Sequence, residues 1–298
     1  MVRGGRYGLR TKFLLHPFGW RLERMAHLLQ VGAGSGGMPV LDMVCRDPRV
    51  TALTLIEPDV YKPHNVARHL FAPQGVGSGK SALAEAWLRE RRPDLQFRSL
   101  NCDLLDSDCQ EEINRAAAGA DLGICAADNE PAKYHFDALM RRWRKPWTLG
   151  EVLSGGIGGF VHWFVPDGPC YGCVASFLQR AVEIEKPKAP DYSQPQSSLP
   201  ETTVPASRAA IEAIASLHAL VTLGLLDNPG DFSPGFTSML FTLERVPDVF
   251  DEPFHPYRFR IPRAAECLIC RPGRGPEYAS PEELDVALDQ ALARLGNA

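Results

Sequence analysis

The segment that most restricts the fold of this chain is "LLQVGAGSGGMPVLDMV", residues 28–44. Its apolar start reads as a short buried strand. Gly32, Gly34 and Gly37 then stand in a G-x-G-x-x-G pattern where a strand should turn into a helix. The first glycine permits a tight turn, the second lets backbone approach a phosphate, and the third lets the helix pack closely on the strand. The N-terminus of that helix would offer free N–H groups and a positive dipole end to an anion. A turn of this kind can also be only a turn, and nicotinamide, flavin and ATP sites all use it.

The residues after the turn narrow the choice. "VTALTLIE" is a β-branched strand ending in acid, with Glu57 and Asp59 at its close. A carboxylate at that place can accept hydrogen bonds from a ribose. Helical and extended patterns then alternate: "SALAEAWLRERR" (helix), "LQFRSL" (strand), "CQEEINRAAAG" (helix), "DLGICAA" (strand), "AKYHFDALMRRWR" (helix) and "PWTLGEV" (strand). Such alternation implies a parallel sheet with right-handed crossovers and helices on both faces, a Rossmann-like α/β fold. Beyond residue 155 the pattern changes. "GGFVHWFVPD", "SMLFTLERV" and "YRFRI" read as strands of antiparallel character, and "ASRAAIEAIASLHALVTLGLL" reads as one strong helix. Residues 183–204 are rich in proline, serine and charge, and read as a surface loop. "SPEELDVALDQALARLG" opens with a capping box and reads as a closing helix. The expected organisation is an arm over 1–26, a nucleotide-binding half over 27–155, a second half over 156–272 and a helical tail over 273–298.

Charge and composition exclude some classes. A formal net charge of −4 argues against a nucleic-acid binder, which would carry a basic excess. No run of about eighteen apolar residues is evident, so no membrane span is expected. The basic N-terminus lacks the apolar core and cleavage site of a signal peptide, which makes the cytoplasm the expected compartment. Of the eight cysteines, four form two C-x-x-C pairs, Cys170 with Cys173 and Cys267 with Cys270. Two such pairs far apart in sequence can meet as a closed tetrahedral Cys₄ zinc site, which is structural because no position is left for water. A redox dithiol at either pair is the alternative.

Directly after the acidic strand end comes "VYKPHNVARHLFAPQGVGSGKSALAEAWL". A nicotinamide enzyme has no use for this clustered Asn65, Arg68 and Lys80, whereas a protein that positions a triphosphate for attack does. Arg68 can hold phosphate bidentately, and Lys80, placed by a flexible glycine turn, can neutralise charge as pyrophosphate leaves. Asp128, in "ICAADN" after the fourth strand, falls at the carboxyl edge where ligands bind and can hold Mg²⁺, or it can cap the next helix.

The order of these elements resembles the family of MoeB, ThiF, HesA and the ubiquitin-activating (E1-like) enzymes. The resemblance is carried by Gly32/Gly34/Gly37, "EPD", "NVAR", "GSGK", "ADN", "CYGC" and "CLIC", over roughly residues 27–272. It implies that Glu57 contacts the ribose, that Asn65, Arg68 and Lys80 address the phosphates, and that Asp128 binds magnesium. It implies attack of a carboxylate on the α-phosphate of ATP, giving an acyl-adenylate and pyrophosphate. The carboxylate would be the C-terminal Gly-Gly end of a ubiquitin-like or sulfur-carrier protein, or that of a peptide or small molecule, and a sulfurtransferase or conjugating enzyme would act downstream. It also implies a homodimer in which an N-terminal arginine, here Arg6 or Arg10, reaches the partner's ATP. Two departures stand out: Glu57 replaces the usual aspartate, and His69 stands where glutamine is common. Residues 183–208 contain no cysteine, so no obligatory thioester is expected on this chain. The rivals are an NAD(P)-dependent Rossmann oxidoreductase and a non-catalytic E1-like scaffold subunit.

Overall fold

A computed structural model of the chain describes residues 25–178, 205–228, 230–265 and 267–270. Residues 1–24 of the arm with Arg6 and Arg10, the 183–204 loop and the whole 273–298 tail lie outside the described residues, and the last residue of the expected arm, Ala26, already belongs to the first strand. Within them, β1 (Ala26–Val31), β2 (Val50–Ile56), β3 (Gln96–Leu100), β4 (Leu122–Cys125) and β5 (Trp147–Val152) pair in parallel. They are joined through α1 (Gly37–Cys45), α2 (Lys80–Arg91), α3 (Gln110–Gly119) and α4 (Glu130–Arg142). β6 (Gly158–Phe164), α5 (Tyr171–Phe177), α6 (Arg208–Asp227), β7 (Ser238–Thr242) and β8 (Pro256–Phe259) come next. β6, β7 and β8 add antiparallel strands, so one eight-stranded sheet runs in the order β3-β2-β1-β4-β5-β6-β7-β8. The α/β class and the antiparallel extension are therefore as the sequence implied, and the same sheet continues across residue 155.

Strand order reverses between β1 and β4, and in such sheets the crevice outside the carboxyl ends at the reversal is where ligands bind. One face of the sheet buries Leu28, Leu53 and Leu55 against α1, α2 and α6. The other buries Leu29, Val31 and Trp147 against α3, α4 and α5. Trp147 stacks on Phe164 at 4.0 Å and meets Phe136 edge-on at 5.4 Å. Each such aromatic pair contributes on the order of 1 kcal/mol beyond its burial.

Helix starts obey local chemistry. Ser207 caps α6 by accepting from the Ala210 N–H at 3.2 Å. Pro39 sits in the first turn of α1, where its missing N–H costs nothing. α6 is, by length and composition, apolar enough to cross a bilayer, which a search for an unbroken apolar run does not register. Here it is a core helix laid against α1, β5 and β6. The short helix α5 leaves no signal in the sequence pattern, because its seven residues are too few to show a period.

Candidate nucleotide site and cysteine cluster

The glycine turn follows β1 as expected, and each glycine has a separate reason. Gly32 has φ of +90°, and a Cβ there would lie 2.7 Å from the Ala126 carbonyl oxygen. A Cβ on Gly37 would lie 2.3 Å from the Gly32 carbonyl oxygen, so any side chain would push the turn off α1. Gly34 differs: a Cβ there would meet nothing within 4 Å. It borders open space before the N-terminus of α1, which carries no side-chain cap. In that first turn the Met38 N–H is taken by the Gly34 carbonyl at 3.0 Å and Pro39 has none, so the uncapped end offers an anion the Gly37 N–H and the positive end of the helix dipole.

Three buried polar side chains brace this turn. Gln30 on β1 donates from Nε2 to the carbonyls of Gly32 and Gly37, both at 2.9 Å. Glu57 accepts the Ala33 N–H at 2.5 Å and the Asp59 N–H at 2.9 Å. Burial raises the pKa of its carboxyl, and the Ala33 N–H and the Lys80 charge oppose that rise. His69 faces the Ala33 carbonyl through Nε2 at 2.9 Å, while its Nδ1 faces the Phe71 N–H at 3.3 Å. Since the Phe71 N–H can only donate, Nδ1 accepts and Nε2 carries the proton. Burial holds the His69 pKa down to about 4, so the ring is neutral near pH 7. Glu57 and His69, the two departures from the family pattern, thus both hold the backbone of Ala33.

The remaining residues converge on the same edge. Lys80 is the first residue of α2, and its Nζ donates to Asp59 at 2.7 Å. The Lys80 backbone N–H also reaches the Asp59 carbonyl at 2.8 Å, which closes the "GVGSGK" loop against the end of β2. Asn65 is buried and accepts the Lys62 N–H at 2.9 Å, fixing a short turn ahead of Arg68. Arg68 is half-buried, and its Nε is a buried donor with no partner. A buried guanidinium N–H left unpaired costs free energy and is an expected signature of an anion site. Asp128 is exposed just past β4; the helix cap is Asn129 instead, which accepts the Ala132 N–H at 2.8 Å. The turn, the open space at Gly34 and the unpaired Arg68 donor fit a polyphosphate.

The two C-x-x-C pairs meet in space. The sulfurs of Cys170, Cys173, Cys267 and Cys270 all lie within 4.8 Å of one another, with 170–267 and 173–270 at 3.4 Å and 170–173 at 3.7 Å. Four thiolates on one zinc at about 2.3 Å would stand about 3.8 Å apart, so the set fits a tetrahedral metal. The Cys170 thiol, by donating to Cys267, and the N–H groups of Cys270 and Ile269 hold the Cys267 thiol well below the ordinary cysteine range. The Ala264 N–H points at the Cys173 sulfur from 3.3 Å, as it would to a metal-bound thiolate.

A further polar chain joins α4, β5, β6 and β7. Lys133 donates to Glu130 at 2.7 Å and to Glu151 at 2.6 Å. Glu151 faces His162 at 3.0 Å, and His162 faces Ser238 at 2.8 Å. Tyr171 donates to Glu130 at 2.8 Å and 3.1 Å. Neither this chain nor the role of Gln30 is visible from the sequence. Their members are scattered over several elements, and the only signal available is the charged pair Lys133 and Asp137, one turn apart, on a helix face that is otherwise apolar.

The ThiF family profile matches residues 16–249. The SAMP-activating enzyme E1 of Haloferax volcanii is 28% identical over 150 residues, covering 50% of this chain and 53% of that protein. Ubiquitin-like modifier-activating enzyme 5 of Gallus gallus is 26% identical over 165 residues, covering 52% of this chain and 41% of that protein. The chain therefore spans about half the length, or less, of these curated relatives. Among solved structures, Escherichia coli MccB crystallised with ATP superposes with a TM-score of 0.60 at 15% identity, over 82% of this chain and 66% of MccB. That likeness concerns the fold. The profile match covers most of the sequence, and on that ground the chain belongs to the ThiF family.

Proposed function

We propose that this chain is an E1-like adenylyltransferase that activates the C-terminal carboxylate of a ubiquitin-like or sulfur-carrier protein ending in Gly-Gly. The observation that carries the reading is the buried Arg68 Nε without a partner, one residue before the His69 that holds the Ala33 carbonyl of the glycine turn. In this reading ATP lies with its phosphates over the α1 N-terminus. Asn65 and Arg68 hold the phosphates, and Lys80 leaves Asp59 in part to face the departing pyrophosphate. Glu57 reaches the ribose with the lone pairs its two backbone bonds leave free. Asp128 ligates Mg²⁺, which supplies charge neutralisation at the phosphates. The carboxylate oxygen attacks the α-phosphorus, the bond to the β-phosphate bridging oxygen breaks, and pyrophosphate leaves.

No thioester forms on the described part of the chain in this account. Burial pushes Cys45, Cys102 and Cys125 up to about 12 each, so none is a ready thiolate, and the half-buried Cys109 has its sulfur 3.9 Å from the Asp106 carboxylate, where a thiolate would meet a like charge. The Cys₄ set holds structural Zn²⁺, the enzyme works as a homodimer in the cytoplasm, and a sulfurtransferase or conjugating enzyme takes the product. Similarity to the SAMP-activating and ubiquitin-like modifier-activating enzymes favours a protein substrate over a small carboxylate. The test is exchange of labelled pyrophosphate into ATP in the presence of candidate Gly-Gly carriers. Carrier-dependent exchange that disappears when the terminal glycine is removed supports the reading; ATP binding with no exchange for any carrier favours the scaffold-subunit alternative.

A further inference from the structure

The exposed Asp128 lies between β4 and α4, and the structure shows what fixes that loop from below. Asn129 caps α4 and Glu130 is its first residue, two positions from Asp128. Glu130 is gripped twice, by the Lys133 ammonium at 2.7 Å and by the Tyr171 phenol, whose two contacts at 2.8 and 3.1 Å span both carboxylate oxygens. Tyr171 is fully buried and braced edge-on by Tyr134 at 5.0 Å. It directly follows Cys170, which is both the N-cap of α5 and a member of the cysteine cluster. The backbone at this point is therefore held by the sulfur cluster on one side and by the packed aromatic ring on the other.

We propose that Tyr171 is a positioning residue, which ties the Asp128 loop to the cysteine cluster through Glu130 and so sets the carboxylate that meets the nucleotide's magnesium. This rests on the proposed reading that Asp128 is the magnesium ligand. The physical reason is ordering. An exposed carboxylate on a short loop loses rotamer and backbone freedom when it ligates a metal, and a loop already held at its next turn loses less. Tyr171 touches neither nucleotide nor metal, so its removal must appear in the magnesium-dependent part of ATP binding.

The experiment is calorimetric titration of ATP into wild type, Tyr171→Phe and Asp128→Asn, each with EDTA and with saturating Mg²⁺, with zinc content and unfolding midpoint recorded alongside. Tyr171→Phe deletes one oxygen from a packed ring. The expected result is metal-free ATP affinity equal to wild type, with the tightening by Mg²⁺ reduced about three- to tenfold, less than the full value of a hydrogen bond to a charged group because Tyr171 acts on Asp128 only through Glu130. Wild-type tightening in Tyr171→Phe, or equal weakening with and without Mg²⁺, overturns the proposal, provided Asp128→Asn abolishes the tightening. If Asp128→Asn retains it, the magnesium assignment itself fails and the proposal falls with it. Should Tyr171→Phe lose zinc, Glu130→Gln weakens the same contact without touching α5. That variant must show the same magnesium-selective loss, and its absence overturns the proposal.

Discussion

A single methyl group at Gly34 should separate nucleotide binding from folding. At Gly34 an added Cβ meets no protein atom within 4 Å, and the residue is not among those with positive φ. Gly34→Ala should therefore leave the fold intact. It should even stabilise the protein by about 0.4–1 kcal/mol, since alanine restricts the unfolded chain. The same methyl would occupy the space where a phosphate approaches backbone. Losing one or two charge-assisted hydrogen bonds at about 1.5–3 kcal/mol each should weaken ATP by at least roughly tenfold. Gly37→Ala is the opposite case. Its Cβ would lie 2.3 Å from the Gly32 carbonyl oxygen and 2.9 Å from the carbonyl carbon, and backbone on both sides cannot yield cheaply. Overpacking there should cost about 1–3 kcal/mol or more. Urea unfolding and calorimetry with Mg-ATP read the two quantities separately. Unchanged ATP affinity in Gly34→Ala, or a stability loss equal to that of Gly37→Ala, would refute the assignment of this space to the nucleotide.

The buried titratable groups and the cysteine cluster give three other expected outcomes. His69 and His218 have pKa values held down to about 4 and about 3 by burial, so the unfolded chain takes up protons below about pH 6.5 that the native state refuses. Stability from these groups is complete above that pH and falls as pH drops toward 4 and 3. Burial raises Asp137 to about 7, which acts with the opposite sign. The check is therefore the difference between wild type and His69→Gln, whose loss of unfolding free energy between pH 7.5 and 5 should be smaller by on the order of 1–2 kcal/mol. Lys133→Met leaves the Glu151 carboxylate, only 11% exposed, without its ammonium, and should destabilise by about 3–5 kcal/mol in chemical denaturation; a change under about 1 kcal/mol would show that the pair is well solvated. Replacing Cys173 by serine should release a stoichiometric metal ion measurable by atomic absorption and lower the unfolding midpoint sharply, since a structural zinc can contribute on the order of 10 kcal/mol. Full-length protein that purifies metal-free with an unchanged midpoint would exclude a zinc role.

Much of the fold is legible in the sequence because the informative signals are local. The β-branched "VTALTLIE", the apolar-faced helices and the glycine turn each declare themselves within a dozen residues, and their alternation admits few topologies. The approximate place of Arg68, Lys80 and Asp128 comes from where strands end. Residues in order cannot show which polar groups meet across elements. Glu57 reads from its position as a ribose ligand, yet its two oxygens bind the Ala33 and Asp59 N–H groups, a duty visible only when β1 and β2 lie side by side. His69 reads as an odd substitution and proves to support the same residue from the other side. Gln30 reads as one polar residue in an apolar strand, and its purpose lies seven residues ahead at Gly37. Asp128 and Asn129 are interchangeable as caps until the Ala132 N–H chooses between them.

The central claim is that this turn and Arg68 hold a triphosphate. Calorimetric titration of wild type and Arg68→Ala with Mg-ATP and, separately, with NAD tests it most directly. Arg68 has a buried Nε without a partner, so its removal should cost the protein little stability and the nucleotide much. The account predicts Mg-ATP binding in wild type that weakens by about tenfold or more in Arg68→Ala, with no binding of NAD. NAD binding that is indifferent to Arg68, with ATP unbound, would contradict it and return the chain to nicotinamide chemistry.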